Sequence, residues 1–162
     1  ARVVGVDFSG AMLALGLAKV KAAGESGRVS LIRGDAVRLP VADRSADAAT
    51  VAFGIRNVQE PEAACREIAR ALRPGGRLAI LEFAVPDAPV FGALYSWYTN
   101  RVLPRIGRAL SRDDSAYAYL PASISAFASP DEFVKILRQA GFGTISPTRL
   151  MLGRVILYTA QR

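Results

Sequence analysis

Residues 48–83 read AATVAFGIRNVQEPEAACREIARALRPGGRLAILEF, and this stretch decides the fold class. Ala48–Phe53 is a short run that is apolar on both faces, as strands of a parallel sheet usually are. Pro61 suits the first turn of a helix, and Arg73–Gly76 ends that helix before a second apolar run, Leu78–Phe83. A strand, a helix and a strand in this order predict a parallel crossover and therefore an α/β domain.

The same alternation continues on both sides of this unit. Ser9 can cap the first helix, and Ser129 with Glu132 forms a capping box that has Pro130 at the first helical position. The last two strands turn at Gly153, so the sheet is predicted to end with an antiparallel strand. The remaining predicted elements are strands at Arg2–Val6, Val29–Arg33, Thr144–Leu150 and Arg154–Thr159, and helices from Ser9 to Gly24 and from Ser129 to Gly141.

Composition limits both the size and the chemistry of the protein. The chain has 162 residues, 51% hydrophobic and 22% charged, so residues 1–162 are predicted to form a single domain with a packed core. It contains no histidine and one cysteine, which excludes imidazole bases, internal disulfides and cysteine-ligated clusters. Cys65 lies in a helical pattern and is expected to fill the core. An active site must therefore use carboxylates, arginines, hydroxyls, amides, backbone groups or a cofactor, and we expect no metal.

The formal net charge is +7, which suits either a nucleic acid or an anionic membrane surface as a partner. No window approaches the ~18 continuous apolar residues of a membrane span. We also find no charged-then-apolar leader, and we therefore expect a cytoplasmic location.

Polar residues stand directly after three of the predicted strands, at the edge where parallel sheets bind ligands. Asp7 can accept hydrogen bonds from both ribose hydroxyls of a nucleotide cofactor, or it simply caps the next helix. Asp35 can accept from an adenine amino group while the Ala36 N–H meets the ring, or it only shapes a turn. Arg56 and Asn57 bring a fixed cation and an amide to this edge, unless their loop is a plain exposed connection. A ribose-binding acid suits NAD as well as S-adenosylmethionine.

Longer motifs narrow these alternatives. Phe-Gly-Ile-Arg-Asn-Val and Tyr-Ala-Tyr-Leu are far more specific than Pro-Gly-Gly, which many methyltransferases share. In chain order the motifs lie in Val4–Leu13, Gly34–Asp47, Phe53–Val58, Leu72–Arg77, Leu81–Phe83, Leu103–Gly107 and Tyr117–Ile124. Together they resemble a class I S-adenosylmethionine-dependent methyltransferase. Within that class they resemble the UbiE/MenG family of menaquinone and ubiquinone biosynthesis C-methyltransferases, over the whole length of the chain.

The resemblance implies a Rossmann-like, mostly parallel sheet and S-adenosyl-L-methionine as the cofactor. Asp7 would hold the ribose, and Ala52 would line the cofactor site. Asp35 and Ala36 would hold the adenine. We expect no nucleic acid partner, because the Asn/Asp-Pro-Pro-Tyr/Phe motif of many base-methylating enzymes does not occur in the sequence.

The same resemblance implies C-methylation of a prenylated quinol ring. Arg56 and Asn57 would face the quinol head group, with Tyr117 and Ser123 nearby. A ring carbon becomes nucleophilic when a phenol loses its proton, and Arg56 is a poor proton acceptor because a guanidinium group stays protonated in proteins. We therefore expect Arg56 to stabilise the phenolate or to hold the water that removes the proton. Asn57 would orient that oxygen or water.

The chain departs from the family at its start. The family's first strand, its glycine-rich cofactor loop and the following helix have no counterpart here, and neither does the segment that covers the quinol pocket. That strand is central in the sheet, between the strands at Arg2–Val6 and Ala48–Phe53, and buried backbone groups without partners cost about 1–3 kcal/mol each. We therefore expect a fragment of a longer protein, inactive alone. To fold alone it would need a changed strand order, or a second copy or another chain to fill the gap.

Residues 88–128 are predicted to form a helical insertion over the substrate. Within them, residues 89–112 are aromatic and basic, which suits peripheral contact with an anionic membrane surface, or a solvated charged face over packed aromatic rings. Two further functions stay open. One is a class I methyltransferase for another small molecule or for RNA, and the other is a non-catalytic subunit that binds quinone or lipid.

Overall fold

The computed structural model describes residues 1–85, 119 and 122–162. Most of the predicted insertion at 88–128, with its stretch at 89–112, lies outside them, so those predictions stay open. In the described part of the chain, no helix is long and apolar enough to cross a membrane. The elements are β1 (Val3–Asp7), α1 (Gly10–Ala22), β2 (Val29–Arg33), β3 (Ala46–Ala52), α2 (Pro61–Ala71), β4 (Leu72–Phe83), α3 (Pro130–Gln139), β5 (Ile145–Leu150) and β6 (Val155–Gln161).

The strands form two sheets. β1 and β2 are parallel neighbours, with Val3 opposite Val29 and Asp7 opposite Arg33. The larger sheet has the order β3-β4-β6-β5, in which β3 and β4 are parallel and β6 runs antiparallel to both of its neighbours. The predicted α/β class, the parallel crossover and the antiparallel C-terminal strand are confirmed.

β1 and β3 each keep one edge that has no ladder partner among the described residues. Neither sheet is reordered to close these edges, so the first expected way of folding alone, a changed strand order, is wrong. The second, a second copy or another chain that fills the gap, stays a prediction. The predicted cost of buried polar groups does not arise, since this part of the molecule is open to solvent. Val3 and Val4 of β1 are 53% and 51% exposed, and α1 also exposes large apolar side chains, Met12 among them.

One face of the larger sheet carries the core. Leu78 and Ile80 of β4 share that face with Tyr158 of β6, and α2 and α3 cover it with apolar side chains. Phe133 of α3 meets Tyr158 edge-on, with 4.9 Å between the ring centroids. Cys65 is fully buried in this layer, and burial raises the pKa of its thiol to about 12. Its predicted role in packing is confirmed.

The segment predicted to separate α2 from the next strand is itself part of β4. The ladder with β3 shifts by several residues here, so the Pro-Gly-Gly segment bulges out of the sheet. Gly75 has a φ of 78°, a conformation that residues with a side chain rarely adopt. Its N–H donates to the Arg162 carbonyl at 2.9 Å. The Pro-Gly-Gly turn therefore lies where it was predicted, but β4 begins at Leu72 and not at the predicted Leu78.

The connection from β2 to β3, residues 34–45, folds back onto α2. Pro40 packs so closely on Gly34 that a Cβ there would lie 2.8 Å from the Pro40 ring. A backbone N–H of the loop donates to Glu67 at 2.8 Å, and the Arg70 guanidinium donates to two carbonyls of the loop. These contacts join the β1–α1–β2 part of the chain to the larger sheet.

The capping box of α3 gives a first prediction. The Ser129 hydroxyl accepts from the Glu132 N–H, and the Glu132 carboxylate accepts from the Ser129 N–H at 2.8 Å. Ser129→Ala is expected to lower the free energy of unfolding by about 1 kcal/mol, measured by urea denaturation at neutral pH. Ser26→Ala, in the exposed turn before β2, is the control and should change it by less than about 0.5 kcal/mol. Equal losses would contradict the capping role.

The same contact predicts a pH dependence. Hydrogen bonds from Ser129 lower the pKa of Glu132. The stability that this carboxylate contributes is therefore present above its ordinary pKa of about 4.3 and is lost as the pH falls through the lowered value. The difference between wild type and Ser129→Ala should shrink in acid, and a difference that grows in acid would contradict this sign.

Candidate active site

Asp7 ends β1 with its side chain exposed. Asp7 Oδ1 accepts from the Ser9 N–H at 2.8 Å, at the start of α1. Within the described residues no donor reaches Oδ2, which leaves this oxygen available for a ligand hydroxyl. Oδ1 thus accepts a hydrogen bond from the start of α1, and Oδ2 can accept one from a ribose hydroxyl.

The turn after β2 presents a carboxylate and a backbone N–H together. The Asp35 carboxylate accepts from the Val37 N–H at 3.1 Å, while the Ala36 N–H meets no acceptor in the part of the chain that the structure describes. Gly34 continues the sheet by donating to the Asp7 carbonyl at 3.1 Å, so the ends of β1 and β2 lie side by side. A carboxylate beside an unused N–H fits the edge of adenine, which offers an amino donor next to ring acceptors.

A strained residue follows β3 directly. Phe53 has a φ of 55°, and a left-handed conformation at a residue with a side chain costs on the order of 1–3 kcal/mol. Its ring stacks on Phe83 with 4.5 Å between centroids, and its N–H donates to the Leu81 carbonyl at 2.8 Å. The 3-10 turn Ile55–Asn57 follows directly. The conformation of Phe53 therefore sets the direction in which the chain enters the turn that carries Arg56 and Asn57.

Arg56 and Glu82 form a buried ion pair, with side chains 8% and 0% exposed. Arg56 Nη1 donates to Glu82 Oε1 at 2.8 Å and to the Phe53 carbonyl at 2.5 Å, while Nε donates to Ser123 Oγ at 3.2 Å. The guanidinium carbon lies 5.3 Å from the Phe83 ring centroid. Nη2 bonds to none of the described residues. The cation predicted here, Arg56, is therefore paired with a buried carboxylate, so the pair has no net charge. The loop that carries Arg56 is not a plain exposed connection.

Asn57 is held by a tyrosine. The Tyr119 hydroxyl donates to Asn57 Oδ1 at 2.8 Å, although Tyr119 is itself 54% exposed. Tyr119 is the second tyrosine of the Tyr-Ala-Tyr-Leu motif and was not among the predicted site residues. Tyr117 lies outside the described residues, so its role stays a prediction.

Glu82 is the other residue that sequence reasoning missed. The available signal was an acid inside the apolar run Leu78–Phe83, since a carboxylate is seldom buried unless it is paired. Its oxygens also accept from the backbone N–H groups of Phe83 at 2.9 Å and Arg56 at 3.3 Å.

Burial, together with the Glu82 charge, raises the pKa of Tyr158 to about 12. Tyr158 therefore stays neutral and supplies no base.

The predicted residues fall into two groups. Asp7, Asp35 and Ala36 lie at the ends of β1 and β2, whereas Arg56 and Asn57 lie at the end of β3 beside Glu82 of β4. Ser123 joins the second group through its bond to Arg56. Ala52 is the last residue of β3 and is exposed, which is compatible with its predicted place beside a cofactor.

Solved structures show which class of fold these elements form. A SAM-dependent methyltransferase from Aquifex aeolicus matches 99% of this chain with a TM-score of 0.67 at 17% identity, and 68% of that protein is covered. The [4+2]-cyclase SpnF matches 99% of this chain with a TM-score of 0.71 at 19% identity, and 66% of that protein is covered. The chain has the Rossmann-like fold of the class I methyltransferases.

Sequence comparison narrows the class to a family. The model of the ubiE/COQ5 methyltransferase family matches residues 1–162. The chain is 44% identical over 162 residues to the ubiquinone/menaquinone biosynthesis C-methyltransferase UbiE of Syntrophotalea carbinolica, and 41% identical over 162 residues to the demethylmenaquinone methyltransferase of Corynebacterium kroppenstedtii. It is matched along its full length and spans 67% of each relative. The chain belongs to the ubiE/COQ5 methyltransferase family, as its motifs predicted.

The buried pair gives a prediction on stability. Glu82→Gln leaves the Arg56 charge buried without its counter-ion, and breaking such a pair costs about 3–5 kcal/mol. We expect a loss of this order in the free energy of unfolding, measured by urea denaturation. Glu62→Gln removes the same charge from an exposed position in the first turn of α2 and should cost at most about 1 kcal/mol. Similar losses in both variants would show that the pair is not structurally important.

Proposed function

We propose that this chain carries the methyl-transfer site of a C-methyltransferase that acts on the ring of a prenylated quinol, in a reaction of the demethylmenaquinol-to-menaquinol type. The observation that carries the proposal is the buried Arg56–Glu82 pair with Asn57 beside it, at the C-terminal ends of β3 and β4. The names of the two relatives support it, since one is a C-methyltransferase of quinone biosynthesis and the other a demethylmenaquinone methyltransferase.

The first group of residues fits S-adenosylmethionine, which supplies an electrophilic methyl group when it is bound. Asp7 would accept from the ribose through Oδ2. Asp35 would accept from the adenine amino group, and the Ala36 N–H would donate to the ring. The fit rests on two atoms, Asp7 Oδ2 and the Ala36 N, that have no partner within the described residues.

Arg56 acts on the quinol oxygen as a directed donor. It cannot take the phenolic proton, because a guanidinium stays protonated at any working pH. Its Nη2 group donates to the phenolate oxygen, or holds the water that receives the proton. Since Glu82 compensates its charge, Arg56 stabilises the phenolate by fixed hydrogen bonds more than by net charge.

Asn57 orients the second contact to the ring. The Tyr119 hydroxyl occupies its Oδ1, so the amide nitrogen is left to donate to a quinol oxygen or to the water. Two donors fixed in this way hold the ring so that the acceptor carbon and the methyl group approach to about 3–3.5 Å in line.

The proposal predicts a separation of turnover from cofactor binding. The protein that carries this chain should convert S-adenosylmethionine and a reduced, short-tailed prenylated quinone to a product heavier by one methylene group, with the methyl on a ring carbon. Arg56→Lys keeps a counter-ion for Glu82 but loses the planar fork. It should lower kcat on the order of 100-fold, by mass-spectrometric assay, and leave the Kd for S-adenosylhomocysteine unchanged.

Arg66→Lys is the matched control, because Arg66 is exposed on α2 and should keep full turnover. Equal loss of turnover and of cofactor affinity in Arg56→Lys would overturn the role of Arg56. Methylation on oxygen in the wild type would overturn the reaction class.

A further inference from the structure

Arg70, on α2, uses every N–H of its guanidinium group. Nε and Nη2 donate to the two oxygens of Glu67 at 2.8 and 2.9 Å. Nη1 donates to the Val41 carbonyl at 2.9 Å and to Asp43 Oδ1 at 2.5 Å, and Nη2 also donates to the Leu39 carbonyl at 3.1 Å. A guanidinium has five N–H donors, so this set saturates it and leaves none for a ligand.

Glu67 holds the same loop from the same helix. Its Oε2 accepts from the Leu39 N–H at 2.8 Å, so Leu39 is bonded to α2 through both of its backbone groups. Hydrogen bonds from Arg70 lower the pKa of Glu67, and the carboxylate is therefore charged at neutral pH. We call Arg70, Glu67 and their bonds to the backbone of Leu39 and Val41 the Arg70 clamp.

The residues between the clamp and β2 are those assigned to adenine. The Gly34 N–H is fixed by the Asp7 carbonyl at 3.1 Å, and Leu39 is fixed by the clamp. Only residues 35–38 lie between these two anchors, and Ala36 and Val37 among them pack against the core. The direction of the Ala36 N–H therefore depends both on this core packing and on where the clamp holds Leu39.

We propose that Arg70 is a positioning residue for the adenine of the cofactor, which holds residues 35–38 in their binding shape without touching the ligand. The inference rests on the proposed function, because it takes Asp35 and Ala36 as the adenine contacts. A loop that is ordered before binding loses less conformational freedom when the ligand arrives, and this raises affinity.

Calorimetric titrations of the protein that carries this chain, with S-adenosylhomocysteine and with adenosine, test the inference. Arg70→Gln should raise the Kd of both ligands by the same factor, roughly three- to tenfold, because both carry the same adenine and ribose. Hydrogen exchange of residues 35–39 should become faster in this variant. Arg66→Gln, on the same helix and exposed, should change neither readout.

Two further variants show which contacts matter. Arg70→Lys keeps the charge but cannot reproduce the planar fork, so it should raise both Kd values as Arg70→Gln does. Asp43→Asn removes an ion pair whose carboxylate side chain is 73% exposed, and exposed pairs contribute little. It should leave both Kd values unchanged.

Ile156→Val serves as a control for general loss of stability, since Ile156 is a core residue of β6. If it raises the Kd values as much as Arg70→Gln, or if Arg70→Gln speeds exchange without changing either Kd, the inference is overturned. If the wild type binds neither ligand, the proposed function fails and the inference fails with it. If the wild type binds both ligands and Arg70→Gln binds them with the same Kd values, the inference fails but the proposed function stands.

Discussion

The Arg70 guanidinium and the Glu67 carboxylate, together with core packing of the loop at 34–45, join the two parts of this molecule. The β1–β2 sheet and the larger sheet share no ladder among the described residues, so the position of one relative to the other depends on the loop at 34–45. Arg70 and Glu67 fasten that loop to α2, and α2 in turn packs on the larger sheet. The residues assigned to the cofactor are thereby set relative to those assigned to the quinol.

A buried charge pair organises the second part in the same way. Glu82 accepts from the side chain and the backbone of Arg56, and Arg56 donates to the carbonyl of Phe53, the strained residue directly after β3. Stacking of Phe53 on Phe83 offsets part of that strain. The contacts that hold the turn in place use Nε and Nη1 of Arg56 and leave Nη2 for a ligand. The same side chain therefore stabilises the turn and is available to bind the substrate.

Elements whose signals are local could be predicted from the sequence. β2 lies at Val29–Arg33 as predicted, and Ser9 and Ser129 cap their helices, because side chain and helix start are adjacent in the chain. The Glu82 and Tyr119 contacts could not be predicted, since their partners are 26 and 62 residues away and only packing brings them together. The early start of β4 and the solvated edges of β1 and β3 also depend on neighbouring strands, which no local pattern specifies.

The most direct test is a titration of the isotope-labelled protein that carries this chain with S-adenosylhomocysteine, followed through backbone amide chemical shifts. We expect the amides of both groups, Asp35–Ala36 and Phe53–Asn57, to shift along one binding curve with one Kd. That result would mean that the loop held by Arg70 and the turn held by Glu82 form a single site. Shifts confined to one group, or two curves with different Kd values, would contradict it.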